Sequence, residues 1–319
     1  MITNLGVGGK TYSPSEQNVS LFKAGMDSVR RMDKDGVRIG LRMSMCPRTI
    51  TGNEGWKDFG LVRGLERPTQ VGESESYPEQ NIQLAYAKRV TPYKLGVKIL
   101  VSEEAFDREQ YGTLQGRAIG SALMGKFQHA EDYILGTFVS ACGSTSVFTN
   151  PHGLAPATSA LPTRYGTTST DLGVTSLSWS ALKSGVILHA NMLDDNGDYV
   201  RRTGGYTLEV GIENMLLAEE ILLNRNKPGT ADRDINVVAA GSGHVTGHRV
   251  IETLETNRYF WTLVTNDEAQ NPRFFWDVKG VSLWKEEKDG EGNYSWTYNR
   301  YMKPDFLDSR GIVYARATS

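Results

Sequence analysis

The chain has only two cysteines in 319 residues, with no CxxC spacing and no histidine beside either. Neither a disulfide framework nor a structural zinc site is therefore expected, and Cys46 and Cys142 are expected to be buried or idle thiols. Long apolar runs are missing too: stretches such as 221–223 and 237–240 fall far short of the roughly 20 residues that span a bilayer, so no membrane partner is expected. The first ten residues lack the basic and apolar regions of a secretory signal, which points to the cytoplasm. A net charge of −2 gives no overall attraction to nucleic acid. The five histidines (His129, His152, His189, His244, His248) show no local signature of triad chemistry, and no GxSxG elbow occurs.

Near-misses to known motifs fail on chemistry. Gly6-Val7-Gly8-Gly9-Lys10-Thr11 resembles the end of a phosphate-binding loop, but Asn4 stands where that loop needs glycine and no strand precedes it. The glycines at 241, 243 and 247 miss the dinucleotide spacing by one residue. His244 and His248 have no glutamate between them, and Gly247 breaks the helix a metalloprotease pair needs. Asp194, Asn196 and Asp198 alternate like a calcium loop, but Gly205 occupies the twelfth position, which requires a bidentate carboxylate; a polar hairpin turn is expected instead. No catalytic, cofactor-binding or metal-binding residue is assigned, and no cofactor is expected.

What is present is an order of segments. Residues 13–34 place Val19, Phe22, Met26, Val29 and Met32 at helical spacing, and Gly36, Gly40, Pro47, Gly52 and Gly55 then interrupt the pattern. This opening reads as an arm that runs extended over a neighbouring surface. Residues 1–53 hold eight Lys/Arg against four acids, which suits a solvated arm or an inner surface touching polyanion. Two strand-like runs, 59–65 and 82–90, flank a stretch from Glu66 to Asn81 with almost nothing to bury. From Gly60 to Ala87 there is no lysine, while Glu66, Glu73, Glu75 and Glu79 are acidic. Residues 91–102 alternate as a strand returning to the body.

Between 113 and 141 apolar residues recur at Leu114, Ala118, Ile119, Ala122, Leu123, Phe127, Ala130, Ile134 and Phe138, with Gly143 as a stop signal. This predicts a helix of about 40 Å, long enough to act as a strut. A Thr/Ser/Gly-rich connection follows to 176. Helices are then expected over 179–189 and 213–224, strands over 206–210 and 237–240, and a loop and strand over 245–264. Trp276, Val278, Val281 and Leu283 lead into Lys288-Asp289-Gly290-Glu291, and Tyr294, Trp296 and Tyr298 lead out, the pattern of an aromatic β-hairpin. The fold class is α+β.

Several stretches carry a family resemblance. Leu95-Gly-Val-Lys-Ile-Leu-Val-Ser-Glu-Glu-Ala-Phe and Ala130-Glu-Asp-Tyr-Ile-Leu-Gly-Thr-Phe resemble the entry to the spine helix, and that helix, of tailed-phage major capsid proteins of the Hong Kong 97 fold. Tyr206-Thr-Leu-Glu-Val-Gly with Met215-Leu-Leu-Ala-Glu-Glu-Ile-Leu resembles the axial-domain strand and helix, nearest in look to the phage Mu-like branch. The stretch from Tyr259-Phe-Trp-Thr-Leu-Val through Phe274-Phe-Trp-Asp-Val-Lys to the final hairpin resembles the peripheral-domain strands. The resemblance covers nearly the whole chain.

It implies an amino-terminal arm over 1–55, an extended β-hairpin loop over 56–95, a peripheral domain with the spine helix over 96–175, an axial domain over 176–264, and peripheral return strands over 265–319. It implies a non-enzymatic protein that self-assembles into the hexamers and pentamers of an icosahedral bacteriophage head enclosing double-stranded DNA. Its location would be the virion, with the host cytoplasm during assembly. Implied partners are copies of itself, a portal protein and weakly contacted packaged DNA. Because Met1 stands close to the arm, a separate scaffolding protein is implied. Some members crosslink through a lysine near the loop tip; none stands between 60 and 87, so no such crosslink is expected, and noncovalent contacts or a decoration protein would stabilise the shell. Two rival readings are an encapsulin-like nanocompartment shell, which shares the fold, and a soluble enzyme with a distributed site.

Overall fold

The long helix organises the molecule. In the computed structural model, the structure describes residues 19–28, 45–52, 54–62, 70–73, 75–79, 84–107, 113–200, 204–224, 235–236, 238, 244–252, 258–268, 270–290 and 292–316. Within these, residues 19–28 form helix α1. There follow β1 (Arg48–Thr51), β2 (Lys57–Val62), β3 (Leu84–Val90), β4 (Tyr93–Val101), the short α2 (Glu103–Asp107) and the spine helix α3 (Thr113–Ser140). Its 28 residues extend about 42 Å at 1.5 Å each.

The buried stripe of α3 is Gly116, Gly120, Leu123, Phe127, Glu131, Leu135, Gly136, Phe138 and Val139, whereas Ala118 and Ala122 face solvent. The stripe is thus rotated from the one expected. Glycine and a paired carboxylate, Glu131 bound to Arg300, occupy inner positions that an apolar pattern does not register. Gly116 is where α1 crosses: a Cβ there would lie 2.3 Å from the Phe22 carbonyl oxygen. Gly143 sits beyond the helix end, but its need is space, since a Cβ would stand 3.0 Å from the Tyr314 ring.

Two sheets lie along the spine helix. The first has the order β1-β11-β12-β4, with β11 (Arg273–Lys288) and β12 (Tyr294–Phe306) forming the expected aromatic hairpin. Gly292, with φ +90, supplies the left-handed position of its turn, in place of Gly290. The second sheet has the order β7-β13-β10-β8-β9, from Asp171–Val174, Ile312–Arg316, Trp261–Thr265, Tyr206–Gly211 and Val245–Ile251. Helices α4 (Trp179–Ala190) and α5 (Met215–Leu223) pack on it, and Ser178 caps α4 by accepting from the Ala181 N–H. The Asn236 side chain ties the layer together, accepting from Trp179 Nε1 and donating to the Ile221 and Asn224 carbonyls. A small ribbon, β5 (Leu161–Thr163) with β6 (Gly166–Thr168), stands apart.

Four expectations change. The segment before Trp56 was expected to lie over a neighbour, but Met45 and Cys46 are fully buried in this chain's core and β1 pairs in parallel with β11. Phe22 and Met26 of α1 also pack on this chain, with Phe22 5.3 Å from Trp296. The final strand Ile312–Arg316, grouped by sequence with the hairpin, pairs with β10 and β7 because Gly311, at φ +110, turns the chain into the other sheet. Residues 245–251 were expected as loop, yet form β9; the Arg249 charge that hid the strand is matched by Glu209 on β8. The strand expected over 237–240 lies partly outside the described residues, and Val238 is buried in a turn.

Candidate functional site

The hairpin of β2 and β3 is the segment with least to bury. Among the described residues its strands pair only with each other, from Lys57↔Val90 to Val62↔Leu84. An isolated two-stranded ribbon is marginal in water. The described tip residues, 70–73 and 75–79, are exposed apart from half-buried Val71, and Tyr77 is 84% exposed. The Gly72 N–H donates to Glu75 Oε2 at 3.1 Å, and the Glu75 N–H donates to the Gly72 carbonyl at 3.1 Å, closing a local turn.

The base is built differently. Val90 is fully buried against Phe274 and Trp276, and the Phe59 ring stands 4.7 Å from Phe274 and edge-on to Trp276 at 6.5 Å. The Lys88 ammonium pairs with Asp305 and donates to the Thr149 carbonyl. Burial lowers its pKa from the ordinary lysine range, outweighing the pull of Asp305. On the solvent side Arg89 grips Asp58 with two bonds of 2.8 Å and lies 3.9 Å over the Trp56 ring. The first of these holds the Asp58 carboxyl below its usual range. Tyr86 meets His152 at 3.9 Å. A cavity of about 380 Å³ adjoins the base, lined among others by Phe59, Val90, Phe306, Asp195 and Arg310.

Behind this base the two sheets are joined by charge. Arg273, at the start of β11 and fully buried, meets Glu209 on β8 at 2.8 Å, and Arg249 on β9 meets the same carboxylate at 2.8 Å. Arg273 also lies 5.9 Å over the Phe138 ring of the spine helix. Cys46 and Cys142 are free and buried in the same core, and burial pushes both thiols up to about 12.

None of this assembles a reaction centre. Among the described residues, no three of His, Cys, Asp and Glu gather to hold a metal ion. Asp194 Oδ1 accepts from the Asn196 and Asp198 N–H groups at 2.9 and 2.8 Å, with Gly197 at φ +85, so this acidic run is a polar turn. His248 stands in β9, 3.7 Å from Glu219. The glycine motifs at 6–11 and 241–243, and Lys10, Arg30, Arg31, Lys34, Arg38 and Arg42 of the basic opening, lie outside the described residues. The joint between hairpin base and body was not legible in sequence: Lys88 and Asp305 are 217 residues apart.

The fold, a long helix packed on two sheets with a hairpin exposed at its tip, is similar to that of solved capsid structures. No protein-family model and no curated protein sequence matches the chain. Solved structures do. The capsid of the empty GTA particle matches with a TM-score of 0.53 at 11% identity, over 89% of this chain and 93% of that one. The bacteriophage PhiM1 mature capsid gives 0.53 at 8%, over 85% of each. The Mycobacterium phage Patience structure gives 0.51 at 9%, over 98% of this chain and 90% of that one. At these identities the likeness is one of fold.

Proposed function

We propose that this chain is a major capsid protein that assembles with copies of itself, as hexamers and pentamers, into an icosahedral phage head enclosing double-stranded DNA. The observation that carries the reading is a capsid fold over most of the chain, bearing a hairpin that has little of its own to bury. A closed shell repeats heterologous contacts, each subunit offering one surface and accepting another. Ordering backbone costs about 1 to 2 kcal/mol per residue, which the exposed tip has few contacts to offset until it docks on a neighbour. The role is structural, with no catalysis.

In this reading the aromatic-hairpin sheet with the spine helix is the peripheral domain, and the five-stranded sheet with α4 and α5 the axial domain. A separate scaffolding protein guides assembly, a portal protein occupies one vertex, and noncovalent contacts or a decoration protein replace a hairpin-lysine crosslink. The lysines flanking the hairpin, Lys57 and Lys88, stand at its base. Packaged DNA is touched weakly and without sequence preference, the subunit assembling in the host cytoplasm and ending in the virion.

The test is negative-stain electron microscopy of the chain alone and with its scaffolding protein, followed by nuclease treatment of particles made during infection. Closed shells or six- and five-fold rings that protect DNA are expected. Shells holding a protein cargo and no DNA would move the assignment to a nanocompartment, and a monomer or small oligomer in both preparations would end the shell reading.

A further inference from the structure

The joint between the two sheets is matched in charge at its buried end but not in hydrogen bonds. One carboxylate, Glu209, faces two arginines: Arg273 Nη1 donates to it at 2.8 Å, and so does Arg249 Nη1. The Arg249 side chain reaches solvent and is 25% exposed, whereas Arg273 is fully buried. Cys46 and Cys142 share this core with Arg273, but both thiols stay protonated at neutral pH because burial raises them to about 12. They add no negative charge.

A guanidinium carries its N–H donors in one plane, as a fixed fork. Among the described residues, Nε and Nη2 of Arg273 are buried and have no hydrogen-bond partner. These two nitrogens form one edge of the fork, an edge that can give two parallel bonds to a single anion. Thr262 supplies a further donor, its hydroxyl being likewise buried without a partner among the described residues. Thr262 on β10 stands directly opposite Glu209 on β8, and paired residues share a face of a sheet. Its side chain is therefore turned to the side on which Glu209 meets Arg273. Buried donors left without a partner are costly, and three of them gather at one carboxylate.

The chemistry of these atoms selects what they bind. A water needs acceptors for its own hydrogens, and both Glu209 oxygens already lie 2.8 Å from arginine nitrogens. An anion needs donors alone. The Phe138 ring, 5.9 Å from the guanidinium, helps keep the surroundings apolar, where a charge-assisted hydrogen bond is strong. We propose that the Nε–Nη2 edge of Arg273 and the Thr262 hydroxyl bind one monovalent inorganic anion of chloride size between the two sheets. The site is independent of the shell reading and belongs to the single folded chain. The anion ties β11 to β10 through Arg273 and Thr262 and offsets the second arginine on Glu209. Because it binds the folded chain and not the unfolded one, it raises the unfolding temperature as its concentration rises.

Thermal unfolding of the purified chain in sodium chloride, sodium bromide and sodium gluconate, at equal ionic strength, tests it. Screening is the same in all three salts, so a difference between them reports binding. Chloride and bromide are expected to raise the unfolding temperature above that in gluconate, and the rise is expected to saturate. Thr262→Val nearly keeps the side-chain shape and removes the hydroxyl. It is expected to need about tenfold more halide for the same rise, the loss of one hydrogen bond to a charged group. Crystals of the unaltered chain grown in bromide are expected to show one anomalous peak beside Arg273. Equal unfolding temperatures in the three salts, a halide response that Thr262→Val leaves unchanged, or an ordered water in place of bromide on Arg273 would each overturn the proposal.

Discussion

The junction between the two sheets and the projecting hairpin are opposite solutions to ordering a chain. At the junction Arg273, Glu209, Cys46, Cys142 and Phe138 are all at most 1% exposed, and the charges are matched inside this chain. In the hairpin, pairing runs strand to strand, the tip faces solvent, and the ion pair of Arg89 with Asp58 is exposed and screened by water, while Lys88 with Asp305 ties only the base to the body. The comparison separates what is matched within one copy from what is left facing solvent. On the proposed shell reading, a subunit that first folds and then joins a lattice needs both.

The largest expected effect comes from removing the dependent part. Deletion of residues 66–81 should leave the body folded, with near-unchanged thermal unfolding, while abolishing closed shells in electron micrographs. Normal particles from that deletion would place the essential contacts elsewhere and erase the contrast between the regions.

The converse change attacks the self-sufficient part. Glu209→Ala leaves Arg273 fully buried without its carboxylate, and breaking a buried pair this way costs about 3 to 5 kcal/mol. Urea unfolding should register the loss as a lower midpoint at unchanged slope. Arg249, which keeps a partly exposed side chain, should tolerate Arg249→Ala with a smaller loss. Equal losses from the two would mean that the buried arginine is not the element under strain when the pair is broken.

Sequence pattern displayed the hairpin better than the junction, for a physical reason. Lysine absence, clustered glutamates and few apolar residues are local, so the stretch from Glu66 to Asn81 shows its lack of a core without any partner being known. The spine helix and the Trp296 hairpin were legible for the same reason, since their periods of 3.6 and 2 are written within one segment. Arg273 and Arg249 stand 64 and 40 residues from Glu209, the carboxylate they share, and each of the three alone reads as an ordinary surface charge. Only pairing of β8 with β9, and of the sheets with each other, turns them into a core. Likewise Met45 and Cys46 sit between glycine- and proline-punctuated stretches that read as arm, yet the parallel pairing of β1 with β11 draws them inside. Burial of the polar residue Glu131 within the helix stripe follows from Arg300 opposite it, a fact of packing and not of period.

A smaller effect probes the joint between α1 and the spine helix. Gly116→Val forces a side chain into a gap where even a Cβ would lie 2.3 Å from the Phe22 carbonyl, and backbone cannot yield as a side-chain end can. Overpacking of this sort costs about 1 to 3 kcal/mol. Because Phe22 and Met26 are the contacts of α1 with Trp296 and Tyr298, the expected result is release of α1 with the two sheets retained, read as faster amide exchange confined to residues 19–28 and their contacts. Exchange that quickens throughout the molecule would show that α1 is part of the cooperative body.

The smallest effect vanishes at neutral pH and grows under alkali. Burial raises the Cys46 and Cys142 thiols from 9.0 to about 12 in the folded chain. Between those values the folded state keeps protons that the unfolded state loses, so stability falls as pH rises above 9, by about 1 kcal/mol for each thiol near pH 10. Below pH 9 both states hold the protons and the contribution is flat. Unfolding midpoints between pH 8 and 10 should therefore fall more steeply for the unaltered chain than for Cys46→Ala/Cys142→Ala, the slope being the readout because the double variant also loses packing. An alkylating reagent at pH 8 should leave both thiols untouched until urea opens the core, whereas a change confined to the hairpin should not alter that reactivity. Rapid alkylation of the native chain would show that the junction opens on its own, and that it is less closed than its packing implies.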